Sequence, residues 1–116
     1  MMAQDSGYFL FSVTAVHSPE SCPLNNNDSK QIFLHLDSKI KKNLKTFDIK
    51  RLVEFYVSVL EHQWTLIFEA KNAHDIEKLC IEIGMSKYNT IKIVPLNRFD
   101  IVIKKLRTEQ KQALES

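Results

Sequence analysis

The sequence predicts an α+β sandwich in which an antiparallel sheet carries helices on one face. Three observations lead there. Between Tyr8 and Leu96 the apolar residues switch between a period of two and helical spacing in the order β-α-β-β-α-β. The segments Leu52–His62 and Trp64–Ala70 are separated only by Gln63, so they must pair as a hairpin. Each strand is apolar at alternate positions, so one face of the sheet needs a cover.

Strand one is Tyr8–His17, "YFLFSVTAVH", rich in aromatic and β-branched residues and free of breakers. A loop with Pro19, Pro23 and Asn25-Asn26-Asn27 follows. Asp28 or Ser29 is placed to cap helix one, where Ile32, Phe33, Leu36, Ile40, Leu44 and Phe47 recur at helical spacing and lysines fill the other face, to an end near Thr46. Strands two and three are the Leu52–His62 and Trp64–Ala70 hairpin; its turn, "EHQW", lacks the Asn-Gly signal that would declare a type. Asn72 caps helix two, with Ile76, Leu79, Cys80 and Ile83 as its stripe and Gly84 at its C-terminus. Strand four is Asn89–Leu96, and Pro95 puts its end at an edge or exit. Arg98–Leu114 carries Phe99, Val102, Ile103 and Leu106 at helical spacing and then turns polar, a third helix that frays. Right-handed crossovers turn this order into a ferredoxin-like α+β sandwich with an antiparallel sheet of spatial order 4-1-3-2 and an extra C-terminal helix. It is one domain over 1–116, with a core of about 7–99 and the helix at about 99–114.

Composition narrows the function classes. The 44% hydrophobic and 26% charged fractions are those of an ordinary globular protein. A net charge of +2, with basic residues spread along helix faces, gives no reason to expect nucleic acid. No apolar run reaches the roughly 20 residues that span a bilayer. The N-terminus has no cationic start before its apolar run and reads as a tail leading into a strand. Two cysteines are too few for a disulfide scaffold, and a cytoplasmic location is expected. The only glycines, Gly7 and Gly84, make no phosphate-binding loop.

Sorting the strands by parity gives one set that is wholly apolar: Phe9, Phe11, Val13, Ala15; Val53, Phe55, Val57, Val59; Trp64, Leu66, Phe68, Ala70; Ile91, Ile93. This set lies under the helices. The other set mixes Leu10, Val16, Leu60, Ile67 and Val94 with hydroxyls and with Glu54, Glu69 and Lys92. That mixture suits a face packed partly on a second copy, with an amphipathic cavity between. Tyr56, Ser58, Glu54 and Lys92 are its candidate ligand-binding residues; they could equally bond across a dimer.

The element order, the mixed face, the strand closing on "VHSPESC" and the ending "YNTIKIVPL" resemble the dimeric α+β-barrel superfamily, and are similar to its GYD-type and related families of unknown function. The resemblance implies two chains packed sheet against sheet. The superfamily includes monooxygenases and isomerases, but no catalytic residue carries over to this sequence.

The sheet order brings the end of strand one to the edge that holds the strand two–three hairpin. His17, Glu20 and Cys22 can thus approach His62 and Trp64. Imidazole, thiol and carboxylate together suit zinc, copper or iron rather than magnesium or calcium. Two other readings stand beside this one. "HSPE" is capping chemistry, with Pro19 at the first position of a short helical turn and Glu20 near its start, and Cys22 is then a small buried hydrophobe. Alternatively, His17 stabilises a reactive Cys22 thiolate. His35 and His74 are expected at the surface, Cys80 and Trp64 in the core. Three functions follow: a homodimer binding a metal ion or small ligand at this end of the sheet; a small monooxygenase- or isomerase-like enzyme acting on an apolar ring substrate between sheets, with Tyr56 or His62 handling protons; or an assembly module joined through its C-terminal helix. A stoichiometric metal favours the first, a ring-binding cavity without metal the second, and ordinary loop contacts around His17 the third.

Overall fold

A computed structural model describes residues 7–115. The chain runs β1 (Phe9–Val16), a 3-10 turn (Pro19–Ser21), α1 (Asn27–Leu34), α2 (Leu36–Asn43), β2 (Ile49–Ser58), β3 (Gln63–Ala70), α3 (Ala73–Glu82), α4 (Met85–Tyr88), β4 (Thr90–Leu96) and α5 (Phe99–Glu115). The sheet is antiparallel with order β2-β3-β1-β4, which is the predicted 4-1-3-2. The core lies between one face of the sheet and α1–α4: Val13, Trp64, Leu66 and Phe68 from the strands meet Leu36, Ile40, Ile76 and Leu79 from the helices, all buried. Each such side chain contributes about 1.5–3 kcal/mol on burial, which holds the register. Among the described residues no helix is long and apolar enough to cross a membrane.

Helix one is two helices, and it starts earlier than expected. The cap is Asn26, not Asp28 or Ser29: its Oδ1 accepts from the Ser29 N–H at 3.0 Å. The helix breaks at His35. The His35 ring Nδ1 donates to the Gln31 carbonyl at 2.8 Å, and its own backbone N–H goes to Ile32 instead. The side chain thus takes the carbonyl that an unbroken helix would give to that N–H. The break redirects the apolar stripe, so that Phe33 reaches Trp64 while Leu36 and Ile40 enter the core.

Strand two is Ile49–Ser58 rather than Leu52–His62, and it bulges between Ile49 and Arg51 and again between Leu52 and Glu54. An extra residue inverts the alternation beyond it. Ile49, Leu52 and Phe55 therefore face the helices, and Val53, which strict parity assigns to the core, is not in the core cluster. Val57 and Val59 are exposed at the far end. Bulges also bring Arg51 beside Glu69, whose carboxylate is buried on the open face. Arg51 Nε donates to it at 2.7 Å, and Lys50 Nζ lies at 3.8 Å. The chain itself supplies the partners that this charge needs.

Asn72 caps α3 through the Asp75 N–H, and Gly84 follows that helix with φ 83°, where a glycine carries no Cβ penalty. Pro95 sits on the edge strand β4. The last helix, α5, spans Phe99–Glu115, and Phe99, Val102, Leu106 and Leu114 are exposed along it.

Candidate metal centre

Three of the residues singled out in the sequence meet at one end of the sheet. Val16 pairs with Gln63, so the next residue, His17, lies opposite His62, and its N–H donates to the His62 carbonyl at 3.1 Å. His62 closes the hairpin with φ 52°. That left-handed conformation costs a non-glycine residue on the order of 1 kcal/mol. Cys22 comes back toward His17 because the intervening residues make a capped turn. Ser18 Oγ accepts from the Ser21 N–H, Pro19 leads the 3-10 turn, and the Cys22 N–H donates to the Pro19 carbonyl at 3.3 Å. The Cys22 carbonyl in turn accepts from the N–H groups of Asn25 and Asn26, both at 2.8 Å. The capping chemistry read from "HSPE" is therefore present, and it is also what delivers the thiol.

One donor atom from each of His17, Cys22 and His62 lies within 4.8 Å of the others. His17 and Cys22 are buried, and His62 is partly so. The imidazole rings of His17 and His62 stand edge to face with centroids 5.5 Å apart, and His17 lies 5.4 Å from the indole of Trp64. His17 is oriented from outside the cluster. Asn89 Nδ2 donates to the Met85 carbonyl at 2.9 Å, which turns Asn89 Oδ1 toward His17 Nδ1 at 3.0 Å. An amide oxygen only accepts, so Nδ1 is the donor, and in a neutral ring that leaves Nε2 as the nitrogen able to bind a metal. His62 Nδ1 is buried and, among the described residues, has no hydrogen-bond partner. Such an orphan costs about 1–3 kcal/mol unless something binds it.

All three side chains border one small pocket of about 90 Å³, otherwise walled by Pro23, Leu24, Phe33, Val57, Ser58, Val59 and Trp64. A larger groove of about 560 Å³ runs along α3 and the edge strand β4; His74 and Glu77, which pair with each other at 3.2 Å, line it. It holds none of the cluster.

The remaining candidates fall elsewhere. Glu20 is exposed on the 3-10 turn and is not part of the cluster. Glu54, Tyr56, Ser58 and Lys92 are exposed on the open face. Tyr56, Thr65, Thr14 and Lys92 form one row across the four strands, which separates Tyr56 from Lys92 by three strand spacings, or roughly 14 Å. Within one chain Lys92 therefore stands apart from the three residues on β2. Cys80 is buried, and desolvation, helped by the nearby Glu77 charge, pushes its thiol up to about 12. Cys80 is therefore a core thiol. Cys22 is also buried, at the wall of the small pocket. Asn89 is the residue that sequence reasoning missed as a site residue. Its signal was the register: β4 runs antiparallel to β1, so the residue before Thr90 must lie beside the residue after Val16.

No protein-family model matches the chain, and no curated protein does. Solved structures do. A candidate antibiotic biosynthesis monooxygenase from Bacteriodes thetaiotaomicron superposes with a TM-score of 0.53 at 7% identity, over 79% of this chain and 90% of that one. A structure described as an antibiotic biosynthesis monooxygenase gives 0.52 at 8% identity, over 78% and 97%. Protein SO0527 from Shewanella oneidensis gives 0.50 at 12% identity, over 78% and 90%. The chain has the ferredoxin-like fold of these proteins. At such identities the likeness is one of fold, and a ferredoxin-like scaffold carries many chemistries. The narrower likeness to GYD-type families rests on the short sequence motifs alone.

Proposed function

We propose that this protein binds a transition-metal ion through His17, Cys22 and His62. The observation that carries the reading is the convergence of three donor atoms within 4.8 Å; one of the three residues, His62, also has a buried Nδ1 with no hydrogen-bond partner among the described residues. A thiolate with two imidazoles suits zinc or copper best, and iron next. Donor atoms around a tetrahedral zinc sit about 3.3–3.6 Å apart given its bond lengths. The cluster therefore has to tighten by about 1 Å, and Cys22 and His62 stand on connections rather than in strands, where such a shift is tolerated. Asn89 fills the part of an outer partner that fixes a ligand histidine's tautomer. Glu20 drops out of the ligand set proposed from sequence. A reduced thiol site belongs in a reducing compartment such as the cytoplasm. Elemental analysis of untagged protein purified without chelators is the test. Roughly one metal per chain is expected; protein that carries none, and whose melting is unmoved by zinc, copper or iron, overturns the reading.

Asn89 makes a graded prediction. Asn89→Leu keeps all three ligands but frees His17 to turn, and is expected to weaken metal binding about 10–100-fold. Competition against a chromophoric chelator measures it; unchanged affinity would remove Asn89 from the site.

A second reading takes its reaction class from two of the similar structures, described as antibiotic biosynthesis monooxygenases, and its apolar ring substrate from the mixed face of the sheet. The pocket at the cluster, at about 90 Å³, is smaller than the roughly 150 Å³ that a cavity holding benzene has. A ring would need the space a second copy closes over the open face, where Val16, Tyr56 and Val94 are exposed. Sedimentation is then expected to give twice the 13.5 kDa chain mass, and Tyr56→Glu to shift the equilibrium toward single chains. A protein that stays monomeric at every concentration has no such cavity.

A further inference from the structure

We infer that the metal centre keeps one coordination position open and that this position takes a small monoanion. The inference rests on the metal reading and adds what the pocket says about the ligand. Among the described residues the cluster supplies three donors, from His17, Cys22 and His62, and no carboxylate stands with them. Three protein ligands leave a zinc-type ion one position short of tetrahedral, the arrangement that binds an exogenous ligand. The same three side chains border the apolar pocket walled by Phe33, Val57 and Val59, and that pocket is the space beside the ion where a fourth ligand would fit.

Charge and size then select the ligand. A dication with one thiolate and two neutral imidazoles has a net charge of +1. Holding that charge against apolar walls is unfavourable, and one bound monoanion cancels it. The pocket volume of about 90 Å³ exceeds the roughly 15 Å³ that a water needs and is smaller than the roughly 150 Å³ of a cavity that holds benzene. It admits an anion of one to three heavy atoms, such as hydroxide, hydrosulfide, cyanide or azide, and excludes an aromatic carboxylate. Binding is a simple ligand exchange in which the anion displaces water and no electrons move.

The test uses the full chain loaded with cobalt(II), whose visible bands report coordination. Cobalt bound through Cys22 is expected to show thiolate charge transfer. Sodium azide should then shift the cobalt bands saturably, and benzoate should leave them unchanged. Val57→Phe, which narrows the pocket without touching a ligand, should retain cobalt and weaken azide about tenfold. Cobalt bound with thiolate charge transfer but unmoved by azide overturns the inference and leaves the metal site standing. Benzoate acting like azide overturns the pocket's role in selection. Cobalt that fails to bind overturns the metal reading, and this inference with it.

Discussion

Trp64→Ala is expected to destabilise the fold by about 3–5 kcal/mol, the range for removing a large aromatic from a packed core. Trp64 is 2% exposed. Its ring stands 4.9 Å from Phe33, 5.4 Å from His17 and 6.5 Å from Phe55, between centroids. It thereby joins the helix layer, the sheet and the cluster of His17, Cys22 and His62. A domain of this size holds about 5–15 kcal/mol in total, so the loss is a large share. The same substitution removes the wall against which His17 is set, and metal affinity should fall with stability. Urea denaturation followed by far-UV circular dichroism measures the first effect and chelator competition the second. Trp64→Phe retains an aromatic there and should recover most of both. A loss under about 1 kcal/mol would contradict the packing described, since a core truncation of this size leaves a cavity.

The double variant His17→Ala/Cys22→Ser is expected to abolish metal-linked stabilisation. A ligand that binds only the folded state at a hundred times its Kd adds about 2.7 kcal/mol. At roughly 4 °C per kcal/mol for a domain of this length, zinc should raise the melting temperature of the wild type by about 10 °C. It should leave the variant unmoved. The informative quantity is the difference made by metal, because removing the buried His17 ring weakens the apo protein by itself. Calorimetry with and without zinc reads it directly. A variant that retains both metal and the shift would place the ligands elsewhere.

Several elements are legible in the amino-acid sequence. Strand one, the Asn72 cap, the Gly84 stop and the edge proline follow from local chemistry, and the sheet order follows from crossover handedness. The meeting of His17 and Cys22 with His62 is legible too, because antiparallel pairing brings the end of β1 to the β2–β3 hairpin. Where sequence reasoning fails, a non-local or two-sided effect intervenes. Nothing in "KRLVEF" declares two bulges, so parity puts Val53 where Leu52 belongs. The break at His35 depends on a side chain competing for a carbonyl, which an apolar stripe does not reveal. Glu20 shares the turn with Cys22 yet points to solvent, because a 3-10 turn sends successive side chains outward in different directions.

The architecture was thus encoded locally, since alternation, helical spacing and caps are properties of short segments and the crossover rule assembles them. Which polar residues act together was decided only when those segments packed. Packing brought Asn89 to His17 across a sequence separation of 72 residues, buried Glu69 under Arg51, and left His62 Nδ1 without a partner among the described residues. Those facts depend on register and on the exclusion of water, and both arise from contacts between segments distant in the chain.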